Sequence, residues 1–178
     1  MKLILLTQVF STLFMVGLIW FVQIVHYPLY ANVGREQFPE YEALHNRTTT
    51  WVVGPAMLVE MVTAVALLRY SPNGSTLLAW IGLGILAVIW ISTAMLSVPA
   101  HNALTAEFSA GAYQKLVSTN WIRTVAWSMR GVIVMVITYR SLGVSQSELL
   151  RSTAGLDQTC LIVYSPMADK TGSNPIDA

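Results

Sequence analysis

Three histidines serve the whole chain: His26 closes an apolar run in VQIVHYPLY, His45 in EALHNRTTT stands just ahead of one, and His101 in SVPAHNA follows another. Imidazole ligates zinc, iron or copper and exchanges protons near neutral pH. Glu42 precedes His45 by three residues, so on a helix the two share a face, as in the Glu-x-x-His pairs of di-iron carboxylate bundles. That pairing occurs once, whereas a di-iron centre needs two pairs and two further carboxylates, and Glu36, Glu40 and Glu107 have no comparable spacing. A mononuclear metal centre from His26, His45 and His101, with Glu42 as fourth ligand or orienting partner, is one reading. The other is three amphipathic side chains resting at a lipid headgroup boundary.

A second group consists of charges inside apolar sequence. Glu60 lies nine residues beyond Trp51, and Arg130 nine beyond Trp121. Ionisable groups within a membrane span are costly and face the protein interior or a water-filled cavity. An ion pair between them is expected, either as a clamp fixing helix rotation or as the floor of a polar pocket. Arg123, Trp127 and Arg130 recur at i, i+4 and i+7, one helix face. Together with Tyr41 and the histidines, Arg123 and Trp127 make a candidate ligand-binding set: His26, Tyr41, His45, His101, Arg123 and Trp127.

The elements that must position these residues follow from composition. Hydrophobic residues make up 54% and charged residues 11%, which places the chain among membrane proteins. A net charge of +1 without a dense Lys/Arg block excludes nucleic acid as a partner, because phosphate binding needs clustered cations. The single Cys160 supports neither an intrachain disulfide nor a cysteine zinc site.

Crossing about 30 Å of hydrocarbon takes about 20 apolar residues. Segments 3–25, 51–70, 76–98 and 121–139 meet that requirement. The expected architecture is all-α: an integral membrane four-helix up-down bundle over residues 1–141, with a polar tail over 142–178. Between spans three and four, Leu104, Phe108, Leu116 and Val117 interleave with polar residues as in a short interfacial helix, and Asn120 is placed to cap the last helix. A helical rod from Pro39 to Arg69 is expected, its first turns standing above the membrane, with a kink at Pro55, and SPNGS at 71–75 to turn the chain.

Four crossings put all three histidines at one end. Lys2, Arg69, Arg140, Arg151 and Lys170 fall on the side of the termini, and Arg35, Arg47, Lys115 and Arg123 on the other. That bias puts the termini in the cytoplasm of a bacterial inner membrane. Trp51, Trp121 and Tyr27 read as an interfacial aromatic belt; Trp90 and Trp127 lie deeper, as packing or as walls of a pocket for a flat ligand.

FVQIVHYPLY, FPEYEALHNRTTTWVVGPAMLVE and NWIRTVAWSMRG together resemble a widespread group of small bacterial four-helix membrane proteins of unknown function. That group is distantly similar to the anthrone-oxygenase-like membrane proteins. The likeness covers about residues 1–140 and rests on Gln23, His26, Tyr27, Pro28, Tyr41, His45, Trp51, Pro55, Glu60, Asn120, Trp121, Arg123, Trp127 and Arg130. It implies a four-helix membrane fold and cofactor-independent or metal-assisted oxygenation of an aromatic substrate, with no catalytic residue to carry over.

Two functions fit these features. One is a site at the outer membrane face for a metal, haem, a quinone-like molecule or another small hydrophobic ligand. The other is a non-catalytic subunit of a larger respiratory or photosynthetic complex, contacting lipid and other membrane subunits, with Gly17, Gly82 and Gly84 allowing close helix approach. A transporter fits less well, because four short helices without an internal repeat leave little room for alternating access.

Overall fold

The computed structural model describes residues 2–70 and 74–163, with side chains through Gly143. Among the described residues, four helices are long and apolar enough to cross a membrane: α1 (Lys2–Tyr30), α2 (Phe38–Tyr70), α3 (Thr76–Ala106) and α4 (Ala110–Gly143). At 1.5 Å per residue they are about 44 to 51 Å long, well beyond the hydrocarbon thickness, so each continues past the membrane boundary. α1 packs on α2, and α2 on α3. α4 closes the ring, reaching α1 through Trp20 and Ser128 (3.0 Å) and α3 through Arg130 and the Gly82 carbonyl (2.6 Å). The protein is an all-α membrane bundle.

Three apolar layers fill it. Leu5, Leu67, Ala79 and Ile137 pack at the end that holds the N-terminus, and Met15, Ile19, Met57, Leu86, Ile89 and Trp127 across the middle. Tyr27, Tyr30, Phe38, Leu104 and Leu116 pack at the far end. Lipid tails are as apolar as these side chains, so the middle layers are held by close packing and hydrogen bonds. Span hydroxyls are satisfied within their own helices, as in Thr12 to Gln8 O (2.7 Å) and Thr63 to Val59 O (2.7 Å). In the far layer, Tyr30 meets Phe38 and Tyr41 edge-on at centroid distances of 5.4 and 5.6 Å.

α1 and α3 share an irregularity. Val22–His26 and Thr93–Ser97 are π-helical turns, and each is followed two residues on by proline, Pro28 or Pro99. Proline lacks the N–H that would bond four residues back, and its ring crowds that carbonyl. Those carbonyls belong to Ile24 and Met95, the central residues of the two wide turns. The wide turn absorbs the misfit: the N–H groups of Tyr27 and Val98 reach five residues back, to Val22 and Thr93. Pro55, by contrast, lies within an uninterrupted α-helix.

Between spans three and four, the structure corrects the expected interfacial helix. Its first part extends α3 to Ala106, and its second part opens α4 at Ala110. The cap of the last helix moves with it: Ser109 Oγ accepts the Ala112 N–H at 3.1 Å, which leaves Asn120 inside the helix and fully buried. Phe108 and Tyr113 hold this start in place, Phe108 edge-on to Phe38 at 4.8 Å and Tyr113 donating to the Tyr27 carbonyl at 3.2 Å.

The chain divides into two compact units, Met1–Ser141 and Leu142–Ala178. Within the second, the backbone is helical through Val163; the remainder of the polar tail, like residues 71–73 of the expected turn, lies outside the described residues.

Candidate functional site

Tyr27 comes directly after the wide turn of α1, and His101 one turn after that of α3. The two meet, with Tyr27 Oη 3.2 Å from His101 Nε2. The other ring nitrogen of His101, Nδ1, is paired with Glu42 Oε1 from α2. On the far side of Tyr27, Arg123 Nη2 of α4 donates to the phenol oxygen at 3.3 Å. Arg123 is itself held by Asn120, whose Oδ1 accepts from Nε at 3.0 Å. The Asn120 amide donates to Gln23 Oε1 at 2.8 Å. The result is one chain of contacts, Glu42–His101–Tyr27–Arg123–Asn120–Gln23, drawn from all four helices.

His26 and His45 form a separate pair, Nε2 to Nδ1 at 3.1 Å, and Thr49 Oγ1 also approaches His45 Nδ1 at 3.1 Å. With Nδ1 engaged, Nε2 is the nitrogen His45 keeps for a ligand.

Beside this chain lies a cavity of about 380 Å³, lined by Tyr27, His45, His101, Arg123 and Trp127 among others. Met15, Ile19, Met57 and Trp90 make its deeper, largely apolar part, while Asn46, Thr49, Thr93, Ser97 and Asn102 add polar groups. Thr50, Val98 and Asn102 line it and are also exposed, so its rim lies between α2 and α3. The Nε1 of Trp90 is buried and has no hydrogen-bond partner. Arg123 donates through Nε and Nη2 only, and no carboxylate pairs with it among the described residues. Arg123 Nη1 is thus a free donor beside the cavity, while the Trp90 N–H is enclosed by protein.

Of the six residues expected to bind a ligand, His45, His101, Arg123 and Trp127 line the cavity, and His26 and Tyr41 do not. His26 stands behind His45; Tyr41 packs against Tyr30 and Phe38 in the aromatic layer. The proposed metal set of His26, His45, His101 and Glu42 is not gathered as ligands, and among the described residues no three His, Cys, Asp or Glu side chains converge for one. Both nitrogens of His101 are committed, to Glu42 and Tyr27, and His26 Nε2 and His45 Nδ1 are spent on each other. These residues fit a hydrogen-bonded chain and do not fit a metal. Glu42 and His45 share a helix face yet serve different partners, which removes the Glu-x-x-His reading.

Sequence reasoning undervalued two residues. Tyr27, assigned to the interfacial belt, is 2% exposed and central to the chain. Trp90, open to a reading as packing or as a pocket wall, lines the cavity. The nearby prolines were the available signal, since each marks where a helix widens and re-aims its next turn.

The Glu60/Arg130 pair is formed below the cavity. Arg130 Nη2 and Nε lie 2.7 and 3.2 Å from Glu60 Oε2, and Nη1 donates to the Gly82 carbonyl at 2.6 Å. Gln8 and Thr12 of α1 complete the carboxylate's contacts. Neither charge lines the cavity. The cluster is therefore a clamp between helices and not the pocket floor, which Met15, Met57 and Trp90 supply.

Comparison with protein-family models, curated proteins and solved structures finds no match. The functional reading rests on the geometry alone.

Proposed function

We propose that the protein binds a small hydrophobic molecule with hydrogen-bond-accepting oxygens, of the quinone or aromatic ketone kind, in the cavity between α2, α3 and α4. The observation that carries this reading is a cavity whose deep part is apolar while Arg123 on its wall keeps Nη1 without a partner among the described residues. A charge-assisted hydrogen bond from Arg123 to a ligand oxygen is worth about 1.5–3 kcal/mol. Pockets of this kind combine apolar walls with a few placed polar groups.

The exposed rim between α2 and α3 suits entry from the lipid, where such a molecule dissolves. With the termini cytoplasmic, as the Lys/Arg distribution favours, the site faces the outer side of a bacterial inner membrane.

The test is direct. The full chain, purified in mild detergent, is titrated with menadione while tryptophan fluorescence is followed, because Trp90 and Trp127 both line the cavity. Saturable quenching that Arg123→Gln weakens supports the reading. Unsaturable quenching, identical in wild type and variant, rejects it.

A further inference from the structure

The contacts around Tyr27 have a direction. Glu42 accepts from His101 Nδ1, which places the ring proton there and leaves Nε2 as an acceptor. The phenol 3.2 Å away therefore donates to Nε2, and its oxygen accepts from Arg123. This is the arrangement in which a buried carboxylate orients a histidine and the histidine activates a hydroxyl.

Two observations set it apart from a scaffold. Tyr27, His101 and Arg123 line the cavity while Glu42 stands behind them, so the groups that exchange protons face the ligand space and the group that orients them does not. The wide turns of α1 and α3 aim the two reacting side chains, and such turns are frequent at functional sites.

We propose that Tyr27 and His101, positioned by Glu42, form a proton-transfer couple that removes and returns a proton at a carbon beside a carbonyl group of the bound molecule, catalysing redox-neutral enolisation or double-bond migration. This rests on the binding reading above. An O–H group trades its proton with water unaided; a carbon acid is the substrate that needs a placed base.

In the forward step the C–H bond breaks and its electron pair becomes the enolate, with charge on the carbonyl oxygen. The proton passes to Tyr27 Oη as the phenol proton moves to His101 Nε2, leaving an imidazolium beside the Glu42 carboxylate. Arg123, through its free Nη1, is the donor available to the enolate oxygen. Return of the proton to the same or the conjugated carbon restores every group, and no oxidant or second reactant is consumed.

The experiment incubates the full chain in detergent with 2-tetralone in deuterated water. Deuterium entering next to the carbonyl is followed by NMR, and probe binding is measured separately by tryptophan quenching. Wild type accelerates exchange over buffer. Tyr27→Phe and His101→Asn each lose about 100-fold of that acceleration, with affinity held within about threefold and the melting transition retained. Glu42→Gln lowers exchange without weakening binding, and the ¹⁵N shifts of His101 then lose their single-tautomer signature, which a merely structural role would not produce.

Binding without acceleration, or equal acceleration in both Tyr27→Phe and His101→Asn, overturns the proposal and leaves the binding reading intact. Failure of the wild type to bind any ketone or quinone probe removes both.

Discussion

Arg130 holds Glu60 with its Nη2 2.7 Å from Oε2, Glu60 fully buried and Arg130 2% exposed. Gln8, Thr12 and the Gly82 carbonyl complete the cluster, so one ion pair ties together all four helices. Removing one partner strands a buried charge, which costs about 3–5 kcal/mol. Glu60→Gln is expected to lower stability by that order, measured by unfolding in mixed micelles. The double variant Glu60→Gln/Arg130→Gln should lose less than the sum of the two single changes, because the charges leave together. Strict additivity would show that the pair does not act as a unit.

Gly82 and Gly84 should respond in opposite senses to the same change. A Cβ at Gly82 meets Arg130 Nη1 at 3.1 Å, on a side chain pinned by three hydrogen bonds, whereas a Cβ at Gly84 meets nothing within 4 Å. Gly84→Ala is expected to stabilise the helix by up to about 1 kcal/mol. Gly82→Ala should destabilise, with crowding of about 1–3 kcal/mol outweighing that gain. Thermal shifts of the two variants, measured side by side, decide the matter.

Arg123 and Tyr41 provide a matched pair for the binding reading. Arg123 lines the cavity, and Tyr41 packs outside it against Tyr30. Arg123→Gln is expected to weaken quinone binding by more than about tenfold, the loss of a charge-assisted hydrogen bond. Tyr41→Phe should leave affinity unaltered in the same fluorescence titration.

A chelator should have no effect. The nitrogens of His101 are taken by Glu42 and Tyr27, and those joining His26 and His45 face each other at 3.1 Å. Dialysis against EDTA, followed by titration with menadione, is expected to reproduce the untreated curve. A lost signal restored by zinc, iron or copper would reinstate a metal centre.

Periodicity and charge placement made much of this architecture readable from the chain. Apolar runs of about 20 residues imposed four crossings, since backbone polar groups in hydrocarbon must be satisfied within a helix. Equal spacing from Trp51 and Trp121 set Glu60 and Arg130 at one depth, and in a dry interior two opposite charges at one depth have few partners but each other. Turn chemistry was harder to read: Asn120 looked like a cap because the hydropathy rises there, while Ser109, eleven residues earlier, is the cap that forms. Polar helical turns standing beyond the membrane have no hydropathic signature.

Residue types alone determined that histidines, acids and arginines would collect at one end of a membrane bundle. Only the tertiary structure decided which nitrogen faces which oxygen. Metal ligation and a proton-transfer chain draw on the same His and Glu residues, and they differ by an ångström or two in distance and by the rotation of a ring. Two proline-induced wide turns set that rotation, turning Tyr27 and His101 toward each other and giving Glu42 to His101 instead of to its helix neighbour His45. No spacing along the chain encodes that choice, because it depends on how α1, α2 and α3 pack against one another.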